Sequence, residues 1–294
     1  MIEFPSISPS IFEVQFLGYD LALRWYAVSY LAGFLAAFVI MRRHLSSGTL
    51  WYLSTPPMEL EDLEKLIFSL VVGVILGGRI GYVLFYNPQA YLENPMDIVR
   101  VWNGGMSFHG GFLGVVFALV MFCIRHGVNL WSASDLLAVA STPGLFFGRV
   151  ANFINAELWG RPTDASWGVI FPGAQAQDCP GVVGDCARHP SQLYEALGEG
   201  LLLFLVLSVC VRAGGFKRRG LIAAIFLIGY GTVRFVVEFV RVPDVQFFSE
   251  SNPFGFAIEF GSFGLTMGQI LSLPMLLLGA IFFTKAIWRF QRYG

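Results

Sequence analysis

"VWNGGMSFHGGFLGVVFALVMF", residues 101–122, decides the fold. Beyond Gly111 the run carries no charge as far as Arg125. A membrane-crossing helix needs about 20 mostly apolar residues, so 107–125 reads as a span. Four glycines (Gly104, Gly105, Gly110 and Gly111) flank His109, one of only 4 histidines in the chain. Glycine removes side-chain bulk and lets other groups approach the backbone. His109 therefore has two readings, a helix cap or a proton-handling group left open to a bulky guest.

The rest of the chain extends the same pattern. Of 294 residues, 55% are hydrophobic and only 13% charged, and Phe alone accounts for 29. A soluble domain is nearer a quarter charged. The expected fold is an all-α polytopic membrane protein in one domain, 1–294, with seven spans at 22–41, 63–86, 107–125, 133–156, 192–212, 220–240 and 266–287. The net charge of −1 gives no basic balance pointing to nucleic acid. The opening "MIEFPSISPSIFEV" lacks a basic n-region and an early apolar core, so the first span reads as an uncleaved anchor.

Charge asymmetry orients the spans. One set of connections holds Arg42, Arg43, Lys65, Arg125, Arg212, Lys217, Arg218, Arg219, Lys285, Arg289 and Arg292; the other holds Arg24, Arg100, Arg161, Arg188 and Arg241. Cytoplasmic loops carry the excess of Lys and Arg. The N-terminus is thus expected in the periplasm and the C-terminus in the cytoplasm. The long connections 87–106, 157–191 and 242–265 then face outward, as does His109. Cys179 and Cys186 share the outward loop "DCPGVVGDC", where an oxidising compartment allows a disulfide; two free thiols are the alternative.

Charged residues inside spans cost on the order of 2.5–3.5 kcal/mol on insertion scales and usually face a bundle interior or wet cavity. In "GLFFGRVANFINAELWGRP", Arg149 and Asn152 share a helix face, with Glu157 and Gly160 at the outer rim. In "LIGYGTVRFVVEFVRVPD", Tyr230, Arg234, Glu238 and Arg241 form one polar stripe. That stripe has two readings, an internal Arg234–Glu238 salt bridge or an anion site, since guanidinium suits phosphate. Gly73, Gly77 and Gly81 make a small-residue seam, and Arg79 beside them has two readings, a pair with a carboxylate such as Glu195 or Glu199 or a purely structural role. Tyr26 sits near the outer end of the first span. These polar groups gather in the outer half, as a site requires and bundle stability alone does not.

Six stretches carry a family resemblance: "WYAVSYLAGF" (25–34), "GGRIGYVLFYN" (77–87), "VWNGGMSFHGG" (101–111), "GRVANFINAELWGRP" (148–162), "RHPSQLYEA" (188–196) and "LIGYGTVRFVVEFVRVPD" (227–244). In this order the chain resembles the prolipoprotein diacylglyceryl transferase family over nearly its whole length. The resemblance implies seven spans in the bacterial inner membrane, a small periplasmic head (157–191), arm-like outer segments and a periplasmic loop (242–265). It implies two substrates, phosphatidylglycerol and a preprolipoprotein signal peptide ending in a lipobox cysteine. The diacylglyceryl group passes to that thiol, forming a thioether and releasing a glycerol phosphate. By position, His109 and Tyr230 take catalytic roles. Arg149, Asn152, Arg234, Glu238, Glu157, Gly160 and Tyr26 take substrate-binding ones. One departure is Ala156, where the family pattern has glycine. No metal or organic cofactor is expected.

The chemistry suits the residues. A free thiol titrates near 8.5, so a base acting near neutrality helps, and imidazole is one. Fixed cations in a poorly solvated site stabilise a departing phosphate. Two rival classes fit less well. A membrane O-acyltransferase or lipid hydrolase lacks a nucleophile motif around Ser107. An anion transporter needs polar groups in both halves of the bundle.

Overall fold

The apolar stretches fold as helices: α1 (Trp25–Leu45), α2 (Leu60–Phe85), α3 (Phe108–His126), α4 (Leu130–Ile154), α5 (Ser191–Arg212), α6 (Leu221–Val237) and α7 (Met267–Tyr293). This computed structural model describes every residue except 17–18, 87, 180, 244–246, 248, 250–251, 253, 262 and 294. Among the described residues, six of these helices are long and apolar enough to cross a membrane; α6, with 17 residues, is a shorter apolar helix. Large apolar side chains such as Leu31, Phe68, Phe117 and Leu277 stand exposed around the bundle, as a lipid-facing surface requires.

Small residues set the packing. In lipid, helices associate through close backbone approach rather than hydrophobic burial. The α2 seam of Gly73, Gly77 and Gly81 meets Gly110 and Gly114 of α3, antiparallel. A Cβ on Gly77 would lie 2.8 Å from Gly114 Cα, and one on Gly110 would lie 2.9 Å from Gly81 Cα. Gly110 therefore belongs to a helix contact, and the expectation that it opens space beside His109 is corrected. Nor does His109 cap α3. Ser107 does, its Oγ accepting the Gly110 N–H at 3.2 Å.

Helix α4 is central, packed on α1, α5 and α6. Gly33 of α1 faces Gly144 of α4, and Gly200 of α5 faces Phe146. One end of the bundle is apolar: Met41, Leu45, Leu66, Leu136, Val139, Leu207 and Ile222 fill it. There Trp51 stacks on Phe216 with ring centroids 4.2 Å apart, tying the α1–α2 and α5–α6 connections together. Asp135, wholly buried, accepts the N–H groups of Gly220 (2.6 Å) and Ala223 (2.8 Å) and so caps α6 from a neighbouring helix. It went unnoticed in the sequence, which reads that half as apolar.

The expectation of an all-α chain is also corrected, because three small sheets lie outside the helices. Strands β2 (Ser10–Phe16) and β3 (Tyr19–Arg24) form a hairpin leading into α1, and β6 (Ile258–Phe260) and β7 (Phe263–Leu265) form another before α7. The third sheet has the order β1 (Ile2–Glu3), β4 (Val169–Ile170), β5 (Ala187–Arg188), joining the N-terminus to the stretch between α4 and α5. Cys179 and Cys186 are disulfide-bonded there, with Cα atoms 6.3 Å apart. Arg188 is the polar centre of this unit. It donates to the carbonyls of Ala176 (2.6 Å), Asp178 (2.8 Å) and Gly160 (3.3 Å) under the Trp159 ring. Part of the 242–265 loop falls outside the described residues.

Candidate active site

Three guanidiniums and three carboxylates meet where α4, α5 and α6 pack. Glu195, in the first turns of α5, is wholly buried. It takes Arg149 Nη1 at 3.0 Å, Arg241 Nη1 at 2.9 Å and the Arg234 Nη1 group. Glu199, one turn on, takes Arg149 Nη2 at 3.4 Å. Glu238 pairs with Arg234 and accepts the Thr266 hydroxyl at 2.8 Å. Thr266 and Gln269 in turn form a reciprocal capping box at the start of α7. Tyr230, one turn before Arg234, lies against Arg149 and Glu199.

Local sequence explains this placement. Glu195 and Glu199 are spaced four apart, as are Tyr230, Arg234 and Glu238, so each set shares a helix face. Between them α5 widens into a π-helical turn, Ala196–Leu202, a feature frequent at functional sites. Gly198 and Gly200 on that turn admit the neighbours: a Cβ on Gly200 would lie 2.8 Å from the Phe146 nitrogen, and one on Gly198 would strike Val233 of α6.

Electrostatically the cluster is balanced but lopsided. The arginine side chains retain 15–19% exposure while the carboxylates retain 0–4%. A visiting anion therefore meets guanidinium first, with the counter-charges sealed behind. Of the two readings of the α6 stripe, the internal Arg234–Glu238 salt bridge is present.

A second group adjoins the first along α4. Asn152 Nδ2 donates to Glu157 Oε1 at 2.8 Å and to the Tyr26 hydroxyl, and Tyr26 donates to Glu157. Gln192, buried, holds the Glu157 carbonyl at 2.5 Å. Gly160 sits under two strands of backbone. Its N–H donates to the His189 carbonyl at 2.8 Å, and a Cβ would lie 2.8 Å from that same oxygen. Ala156 has φ +51°, a left-handed conformation that glycine adopts at lower cost, so the family's glycine suits the backbone here. Outside the spans, burial lowers the His189 pKa from its ordinary value, and its Nδ1 lies 3.2 Å from the Tyr194 hydroxyl.

Of the expected site residues, Arg149, Arg234, Glu238 and Tyr230 come together around Glu195, and Tyr26, Asn152 and Glu157 form the adjoining group. His109 stands exposed on the first turn of α3, at the bundle end where α4 finishes. Of the two readings of Arg79, its contacts favour the structural one: it binds main-chain carbonyls of residues 97–105. Glu195, Glu199 and Thr266 were not among the expected site residues. Among the described residues, no set of three His, Cys, Asp or Glu side chains is placed to hold a metal ion.

A helical bundle with an ion-pair cluster inside apolar walls defines a multi-pass membrane protein with a polar site within the bundle. Residues 13–285 match the family model described as prolipoprotein diacylglyceryl transferase, and the chain belongs to that family. It is 55% identical to a relative from Cereibacter sphaeroides over 97% of this chain and 98% of the relative. It is 54% identical to one from Ruegeria pomeroyi over 97% of each chain, and 44% identical to one from Rhizobium meliloti over 95% of this chain and 92% of the relative. All three are named phosphatidylglycerol--prolipoprotein diacylglyceryl transferase.

Proposed function

We propose that this chain transfers the diacylglyceryl group of phosphatidylglycerol to the lipobox cysteine of a preprolipoprotein signal peptide, the first step of lipoprotein maturation. The observation that carries this reading is the cationic edge formed by Arg149, Arg234 and Arg241 in a member of this family. The lipid phosphate binds at that edge, held by Arg149 and Arg234, with Tyr230 orienting it. Tyr26, Asn152, Glu157 and Gly160 shape the adjoining wall. Glu238 keeps Arg234 aimed.

The thiol sulfur attacks the glycerol carbon that bears the phosphate. The carbon–oxygen bond breaks, a thioether forms and glycerol phosphate leaves. His109 takes the thiol proton, and the arginines stabilise charge growing on the phosphate oxygens. The protein lies in the bacterial inner membrane with α6 as a seventh span, about 25 Å long at 1.5 Å per residue. The N-terminus, the 157–191 head and the 242–265 loop are periplasmic; the C-terminus is cytoplasmic. The Lys and Arg asymmetry supports this orientation.

The test uses purified protein, phosphatidylglycerol vesicles and a lipobox peptide with or without its cysteine. Thioether and glycerol phosphate should appear only with the cysteine; a lysolipid product would mark an acyltransferase instead. His109→Ala should bind the lipid yet fail to transfer, and substantial transfer by it rejects the base assignment. Arg149→Ala should weaken both lipid binding and turnover.

A further inference from the structure

Arg79 lies in the last turns of α2 and is 4% exposed. Its partners are main-chain carbonyls from one irregular segment. Nε donates to Ile98 at 2.9 Å, Nη1 to Gly104 at 2.5 Å and Gly105 at 3.0 Å, and Nη2 to Asp97 and to Arg100 at 3.3 Å. The Tyr91 ring covers the guanidinium 5.1 Å away. The segment's large side chains, Met96, Val99, Val101 and Trp102, point outward and are exposed. It then runs into α3, where the Ser107 N–H donates to the Gly78 carbonyl at 2.9 Å.

This arrangement answers a physical problem. The carbonyls of Asp97, Ile98, Arg100, Gly104 and Gly105 lie in and around two short 3-10 turns, Pro95–Val99 and Val101–Asn103, and have no α-helical ladder to supply their partners. A single guanidinium, with five donors in a fixed fork, supplies them all at once. Lysine, a compact point charge with three donors, cannot span the same set. The segment so held ends at the turn that carries His109.

We propose that Arg79 is a positioning residue for transfer: it serves as internal solvent for the 97–105 backbone and so holds the entry to α3, and with it His109, in reactive geometry. The proposal rests on the reading of His109 as the base. The glycine seam sets the α3 axis, and the Arg79 clamp sets the segment that precedes its first turn. The clamp lies outside the Arg149–Arg234–Arg241 cluster, so loosening it disturbs proton removal and leaves the phosphate contacts intact.

Two glycines provide the test. Gly104 and Gly105 have φ +83° and +81°, both in the region that favours glycine, so alanine costs backbone strain at each. Only at Gly105 does a Cβ press on the clamp, 2.9 Å from Arg79 Nη1 and 2.7 Å from the Tyr82 ring; at Gly104 it meets nothing within 4 Å. The full-length protein in phosphatidylglycerol vesicles is assayed with the lipobox peptide. Gly105→Ala and Arg79→Lys should each lower kcat about tenfold or more with KM for the lipid within about twofold, and Gly104→Ala should lose clearly less. Hydrogen exchange should rise in peptides covering 95–107 and not in those covering 191–212. Equal losses in Gly104→Ala and Gly105→Ala, a wild-type kcat in Gly105→Ala, or a KM rising in step with the fall in kcat overturns the proposal. If Arg79→Lys cannot be purified folded, the glycine pair decides alone. An inactive His109→Ala beside a fully active Gly105→Ala rejects the clamp only; an active His109→Ala rejects the base assignment and the clamp's role with it.

Discussion

Glu195 sets one carboxylate against three guanidiniums in the bundle interior. Removing one partner of a buried pair leaves an uncompensated charge, at a cost of about 3–5 kcal/mol. Glu195→Gln should therefore lower the unfolding temperature of the purified protein. Phosphatidylglycerol should restore part of that loss, because its phosphate supplies the missing charge to the folded state. An uncharged diacylglycerol that restores as much would show that the arginines are not the phosphate contact. At this scale the sequence was partly legible. The four-residue spacing of Arg234 and Glu238 specified a shared face, and the pair forms. Arg79 had no such spacing to a carboxylate, and its true partners are carbonyls 18 to 26 residues further along the chain.

Among the elements, the α2–α3 contact is the tightest and the least tolerant. A Cβ on Gly114 would already overlap the Gly73 carbonyl, so a larger side chain must separate the helices. Gly114→Val should destabilise by at least about 2 kcal/mol, seen as a lowered thermal midpoint in detergent. An unchanged midpoint would mean that the helices do not touch there. The α2 half of this seam was evident from glycines spaced by four. The role of Gly110 was not, because a glycine beside a histidine looks the same whether it faces a partner helix or a substrate. The π-helical turn in α5 was likewise hidden. Hydrophobic pattern marks a span, whereas one extra residue per turn depends on how Gly198 and Gly200 seat against α6 and α4.

For the molecule as a whole, polarity is divided by depth. The apolar core fills one end of the bundle, and the charged cluster lies toward the other. The proposed orientation places that second end in the periplasm. A reporter enzyme active only in an oxidising compartment should work when inserted at Val183 and fail at Lys217; the reverse pattern overturns the topology. The amino-acid sequence alone was enough to specify a mostly helical chain with apolar segments long enough to cross a membrane, and the helix face that Arg234 shares with Glu238, because apolar length and helical spacing are local properties. Only the tertiary structure chose the partners: Glu195 as the hub, Arg79 as the holder of a loop, Asp135 as the cap of a neighbouring helix. Those choices depend on which helix faces which at close range, and ion pairs and backbone hydrogen bonds across a bundle leave no periodic trace in the chain that makes them.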